Sequence, residues 1–219
     1  MVSGVATGTA SGSGAIDNAV GNGRANPNAG TRVAVILPQE SLPDEPKIVA
    51  LATRVRDELA RTLKITAPPR VTLRFHPTIE SYQRATGRQW FTAGATTTDG
   101  EAHFIPLTLL KERDIVDETI RHELVHVLTA SALKGRPVWV HEGAAMYFSV
   151  PHANLGQAEQ VGQAIVPGAA SGSTSDASCP ADSELLHPAS REALRTAYRR
   201  AAACFAGQLA AGRSWREVR

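Results

Sequence analysis

Apolar residues recur along the chain in two rhythms, one typical of strands and the other of helices. Val71, Leu73 and Phe75 alternate with polar residues, which predicts a half-buried strand. A β-branched apolar run at 32–37 predicts a second, buried strand. Between the two strands, apolar residues at helical spacing predict a helix that begins after Asp44, a favourable N-cap. These residues are Ile48, Leu51, Ala52, Val55, Leu59 and Leu63.

The later part of the chain predicts a hairpin and several helices. A short helix is expected at 79–86, and an antiparallel hairpin at 93–107 because the pair Asp99-Gly100 suits a tight turn. Helical patterns follow at 114–133, 140–149 and 190–211. This order predicts an α+β domain in which a small mixed sheet with an antiparallel edge hairpin precedes a helical C-terminal half.

Composition divides the 219 residues into a linker and one domain. Seven of the 18 glycines fall in residues 1–30, which are also rich in Ser, Thr, Ala and Asn and predict a flexible linker. We expect the domain to extend over 31–219, with a second Gly/Ser-rich insert at 167–183. Because a linker joins two parts, the chain is expected to be part of a longer polypeptide.

Charge and hydropathy exclude two kinds of partner. The net charge of +2 is too balanced for a nucleic-acid surface to be expected. No apolar run approaches the roughly 20 residues that a membrane-spanning helix needs. Seven arginines but only two glutamates follow residue 190, and we interpret them as the solvated face of an amphipathic helix.

The predicted helix at 114–133 contains His122, Glu123 and His126 in the pattern His-Glu-x-x-His. Residues four apart share a helix face, about 5–6 Å between Cβ atoms, so both imidazoles can bind one metal ion. Zinc suits two such nitrogen ligands. Glu123 lies to one side of this face, where its carboxylate can act as general base toward a water molecule on the metal.

Two other interpretations of the histidine pair need no metal ion. A solvated helix with unrelated histidines predicts polar neighbours, whereas much of this helix is apolar. Buried histidines that bond only to each other and to the backbone form the second alternative. The apolar residues are Ile115, Val116, Ile120, Leu124, Val125, Val127 and Leu128.

A catalytic zinc ion needs a third protein ligand and one open position. A third histidine six residues after His126 is absent, since that position holds Ala132. A turn and a second helix follow, and this length can bring Glu142 back beside the histidines. We therefore expect Glu142 to be the third ligand.

These motifs resemble the gluzincin metallopeptidases, and within them the peptidase MA-like family. There a His-Glu-x-x-His helix is followed by a Pro-x-Trp-x-x-Glu-Gly-x-Ala-x-Tyr block. The resemblance is close over residues 31–149 and loose thereafter. The matching residues of the second block are Pro137, Trp139, Glu142, Gly143, Ala145 and Tyr147.

The resemblance implies a zincin-like fold and one Zn2+ bound by His122, His126 and Glu142. It also implies that Glu123 is the catalytic base and proton shuttle of a peptide-bond hydrolase. The expected partner is a peptide or protein substrate. A zinc-containing but non-catalytic binding or scaffold domain of a larger exported protein is the alternative.

Three further residues are candidates for roles near the metal, and Tyr198 is a fourth, considered with the other tyrosines below. His141 precedes the third ligand and is expected beside it or toward substrate, or else at the surface. Glu118, four residues before His122, can accept its second ring N–H or be solvated near the helix start. His103, in the hairpin, is a candidate on the substrate side, since an extended peptide can add to a free strand edge.

The sequence assigns no donor for the oxyanion of a tetrahedral intermediate. Tyr198 and Tyr82 lie on separate segments that can reach over the site, although each has a structural interpretation. Tyr147 is expected to pack in the core.

Cys179 and Cys204 are the only cysteines. A disulfide between them would tie down the insert and fit an extracellular or periplasmic location, while two free thiols are the alternative.

Overall fold

The computed structural model describes residues 32–97, 99–150 and 178–219. The predicted linker at 1–30 and most of the predicted insert at 167–183 lie outside the described residues.

Four strands form one mixed sheet in the order β1-β2-β4-β3. They are β1 (Arg32–Ile36), β2 (Arg70–Phe75), β3 (Gly94–Thr96) and β4 (Glu101–Phe104). β1 and β4 both run parallel to β2, and β3 pairs antiparallel with β4. The predicted alternation in β2 is present, because Val71, Leu73 and Phe75 are buried.

Helices make up most of the rest of the described chain. They are α1 (Glu45–Leu63), α2 (Ile79–Thr86), α3 (Leu107–Glu112), α4 (Val116–Thr129), α5 (Val138–Phe148), α6 (Asp182–Leu186) and α7 (Arg191–Ala210). Short 3-10 helices cover Gln39–Asp44 and Trp215–Glu217. The α+β architecture predicted from the sequence is therefore confirmed. None of these helices is both long and apolar enough to cross a membrane.

The boundaries differ from the prediction around the metal-binding motif. Leu107, expected to end the hairpin, instead begins α3, in which Leu107 and Leu110 are buried. Asp114, expected to begin the motif helix, has a left-handed φ of 54° and separates α3 from α4. α4 ends at Thr129, four residues before the predicted end.

The hairpin lies at the edge of the sheet, as predicted, but its two strands have different positions. β3 is the edge strand, whereas β4 pairs on both sides. The turn uses the expected residues: Gly100 has a φ of 81°, and its N–H donates to the Thr97 carbonyl at 2.9 Å.

Helices cover the sheet and then pack on one another. α1 packs against β1 and α4, while α4 also contacts β3 and β4. α5 lies between α4 and α7, and its most extensive contact is with α7. The core is therefore continuous from the sheet through α4 and α5 to α7.

Candidate metal centre and active site

The two histidines of the motif lie on one face of α4, one turn apart. The Nε2 atoms of His122 and His126 are 3.2 Å apart. Both side chains are mostly buried, with exposed fractions of 17% and 14%. The helix thus holds two nitrogen ligands side by side, as the four-residue spacing predicts.

Glu142, on α5, completes a group of three. Its Oε2 lies 3.4 Å from Nε2 of His122 and 3.4 Å from Nε2 of His126. This oxygen is buried, and no hydrogen-bond donor contacts it among the described residues. All three ligand atoms lie within 4.8 Å of one another.

The three-residue group could hold a cation. A buried carboxylate oxygen without a hydrogen bond is costly unless a positive charge compensates it. Burial raises the pKa of Glu142, but the charge of His126 and the close contacts with both histidines outweigh burial, so that its pKa lies well below the usual range. The carboxylate therefore stays ionised, and two imidazole nitrogens with one carboxylate oxygen could hold a metal ion.

The position of α5, and with it that of Glu142, depends on contacts at its start and in its middle. Asp182 accepts a hydrogen bond from the N–H of Val138 at 2.8 Å, which satisfies a free donor at the start of α5. A Cβ atom on Gly143 would lie 2.6 Å from the carbonyl oxygen of Ala201. Glycine thus lets α5 approach α7 closely, directly beside the third ligand.

Arg121, the residue before the first histidine, fixes α4 on α1. Its guanidinium is buried and donates to both oxygens of Glu58, at 3.0 and 3.2 Å, and to Asp117 at 3.2 Å. A bidentate pair of this kind is directional. It restricts rotation of α4 and keeps the motif histidines facing α5.

Glu123 is buried between α4 and the edge strand β3. Thr96 donates a hydrogen bond to its Oε2 at 2.9 Å. Gly94 leaves space for the side chain, since a Cβ there would lie 2.7 Å from both Cγ and Oε1 of Glu123. The edge strand therefore orients this carboxylate through the hydrogen bond from Thr96 and through the space that Gly94 leaves.

A cleft of about 450 Å3 opens beside the metal-binding group. His122 and Glu123 line it from α4, Tyr198 lines it from α7, and residues 91–94 line it from the segment that leads into β3. His122 and the predicted base thus face a space large enough for part of a peptide.

Tyr198 lines the cleft beside His122. Its ring centroid lies 6.1 Å from that of His122. Burial, with the carboxylates of Glu142 and Glu123, raises the pKa of Tyr198 well above its ordinary value, so that its hydroxyl keeps its proton. Tyr82 is instead fully buried, and its hydroxyl forms a hydrogen bond with the hydroxyl of Thr92 at 3.0 Å.

The other predicted candidates lie in different surroundings. Tyr147 packs against Phe148 and Phe205, as expected for a core residue. Glu118 is exposed on the cleft wall, and no hydrogen bond joins it to His122 in the described part of the chain. His141 is half-buried outside the three-residue group, and burial, followed by the charge of His126, lowers its pKa.

His103 lies on a strand that is paired on both sides and not on a free strand edge. It is buried on the inner strand β4, where its Nδ1 is 2.9 Å from Nε2 of His76. Its partner on β3 is Ala95, and the residues on either side of Ala95, Gly94 and Thr96, are the ones that contact Glu123. Because side chains alternate along a strand, His103 faces the opposite side of the sheet. The position does not favour a role on the substrate side.

Cys179 and Cys204 form a disulfide with a Cα–Cα distance of 5.8 Å. The described end of the predicted insert is therefore bound to α7. Arg200 adds a hydrogen bond to the carbonyl of Ser178 at 2.7 Å. Asp182, within the predicted insert, begins α6 and caps α5, so the insert ends earlier than predicted.

Sequence reasoning missed the residues that orient the predicted base and the motif helix. Gly94 and Thr96 precede the hairpin turn and have no local pattern that links them to a glutamate 27 or more residues later. The one available signal was the position of Arg121, which directly follows the apolar residue Ile120 in a helix with a large apolar face, since a buried cation needs an acidic partner.

Protein-family models, curated proteins and solved structures were compared with this chain, and none of them matches it. The interpretation of the site therefore depends on its motif, its contacts and its burial.

Proposed function

We propose that the chain is a zinc-dependent peptidase that hydrolyses peptide bonds in the cleft beside α4. One observation carries this proposal: the buried Oε2 of Glu142 accepts no hydrogen bond from the described part of the chain and converges with two imidazole nitrogens, beside the carboxylate of Glu123 that Thr96 orients. His122, His126 and Glu142 would hold the ion. Zinc, when bound, lowers the pKa of a coordinated water toward about 7 and polarises a substrate carbonyl.

Glu123 is the proposed general base. Thr96 donates a hydrogen bond to its Oε2, which leaves Oε1 to accept a proton from the attacking water. The same carboxyl group then delivers that proton to the departing amine. Burial between α4 and β3 keeps the carboxylate in a narrow range of positions, which proton transfer requires.

Tyr198 is the proposed donor for the developing oxyanion. It lines the cleft beside His122, and its raised pKa keeps the hydroxyl protonated at neutral pH. A donor of this kind stabilises charge that exists only in the transition state. A substrate peptide would lie along β3, the edge strand of the sheet that contacts α4.

The disulfide supports a proposed location. Disulfides persist in oxidising surroundings, so we place the protein outside the cell or in a periplasm.

Metal quantitation and cleavage of a peptide library, each with and without a chelator, test the proposal. The protein should bind one zinc ion, and Glu123→Gln should keep the ion but lose nearly all turnover. His122→Ala should lose the ion itself. Zinc-dependent cleavage that survives in Glu123→Gln would refute the mechanism. One bound zinc ion without cleavage of any peptide would favour the non-catalytic binding domain.

A further inference from the structure

Three arginines of α7 line the same cleft as the metal-binding group. Arg191, Arg195 and Arg199 recur every four residues and form what we call the arginine stripe. All three are exposed. The sequence pattern indicated a solvated helix face, but the structure turns this part of α7 toward the cleft.

The stripe is available to a ligand. Among the residues that the structure describes, Glu192 is the acidic residue within ion-pair distance, 3.6 Å from Arg195 and 3.7 Å from Arg199, and these contacts are highly exposed. Exposed pairs of this kind contribute little and are readily exchanged. Arg191 has no ion-pair partner in the described ranges. Three positive charges therefore meet one weakly held negative charge on this wall.

The spacing of the stripe matches that of an extended peptide. Successive arginines are separated by four helical residues, a rise of about 6 Å. Alternate side chains of an extended strand are about 6.6–6.8 Å apart on one face. A peptide in the cleft can therefore present every second side chain to a successive arginine, and carboxylates there would form charge-assisted hydrogen bonds.

A second charged group makes the cleft asymmetric. Glu118 lines it from α4 and is exposed. The negative charge thus lies on the wall of the motif helix, and the positive charges lie on α7. An acidic side chain is attracted to one wall and repelled by the other, so the charges select both the peptide and its orientation.

We propose that the arginine stripe makes this cleft selective for peptide segments with acidic residues at alternate positions. The inference rests on the proposed peptidase function, because it names the substrate class of that site. Tyr198 lies between two arginines of the stripe in sequence, so acidic side chains would be held beside the cleavage position.

A binding assay that needs no turnover tests the stripe. Fluorescein-labelled peptides are synthesised in pairs, one with Glu at alternate positions and one with Gln there, and their anisotropy is measured on the zinc-loaded Glu123→Gln protein. Each exposed pair is worth about 1.5- to 5-fold in affinity, so the Glu peptide should bind on the order of 10-fold more tightly. The preference should shrink as salt is raised from about 50 to about 200 mM.

Variants test whether the stripe causes the preference for the Glu peptide over the Gln peptide. Changing all three arginines of the stripe to Gln should abolish this preference. Arg213→Gln removes an exposed arginine that lies beyond the end of α7, outside the cleft, and should leave it unchanged. Glu118→Gln should increase it. Equal affinity for the two peptides, or an unchanged ratio in the triple variant, would overturn the proposal.

Cleavage of the same unlabelled peptides separates this inference from the function on which it rests. Zinc-dependent cleavage at equal kcat/KM for both peptides would overturn the selectivity alone. Selective binding without zinc-dependent cleavage would refute the peptidase function and leave the acidic-peptide site in place.

Discussion

Replacing Gly94 by alanine tests whether the edge strand positions the proposed base. A Cβ at this position would lie 2.7 Å from Cγ and 2.7 Å from Oε1 of Glu123. Carbon atoms in ordinary contact are about 3.5–4.0 Å apart, so the carboxylate must move by about 1 Å. A misplacement of about 1 Å costs on the order of 100-fold in rate, and we expect kcat/KM to fall by about that factor.

The three atoms nearest to the new methyl group all belong to Glu123 and not to the proposed metal ligands, so zinc content should stay at the unsubstituted level. Crowding in a packed region also costs about 1–3 kcal/mol of unfolding free energy, which thermal unfolding measures. Gly207→Ala is the matched control, because a Cβ there meets no atom within 4 Å. It should keep full activity and stabilise α7 slightly. Unchanged kcat/KM in Gly94→Ala would show that the contact between β3 and Glu123 does not control the reaction.

Three further predictions concern the metal, the disulfide and pH. Zinc at about 100 times its Kd should stabilise the fold by about 2.7 kcal/mol and so raise its Tm. Glu142→Gln should remove most of this rise in Tm, and a rise as large as that of the unsubstituted protein would exclude Glu142 as a ligand. Cys204→Ser opens a disulfide with Cys179 that spans 25 residues and should lower stability in urea by about 3.5 kcal/mol in the chain-entropy model, whereas unchanged stability would contradict that role. Burial, above all, lowers the pKa of both His76 and His103. The unfolded chain therefore binds more protons below about pH 6.5, and stability should fall as pH decreases through that range. Urea titrations at about pH 7.5 and about pH 5.5 measure this loss of unfolding free energy, and His76→Gln should make it smaller. An equal loss in the variant and the unsubstituted protein would show that His76 does not cause the pH dependence.

Local patterns predicted a strand, a turn and the pair of histidines in the group that could bind a metal ion. The alternation in β2, the turn at Gly100 and the four-residue spacing of the histidines are properties of neighbouring residues, and each is present in the structure. α3 was missed because its six residues give too short an apolar pattern to separate from a strand.

Features of the site that depend on distant segments could not be predicted. The contact of Thr96 with Glu123 joins residues 27 apart through the register of β3 on β4. The face that Arg195 and Arg199 present depends on how α7 rotates against α5, where Gly143 determines the approach. Helical periodicity identifies a polar face but does not show whether that face borders bulk solvent or a cleft.

The close approach of α5 and α7 at Gly143 mechanically links two parts of the site. α5 carries Glu142, and α7 carries Tyr198 and one wall of the cleft. A shift of α7 that moved α5 with it would therefore change both the width of the cleft and the distance from Glu142 to the histidines. Loading of the ion and retention of a peptide should therefore reinforce each other by the same factor in either order of addition, as linkage requires.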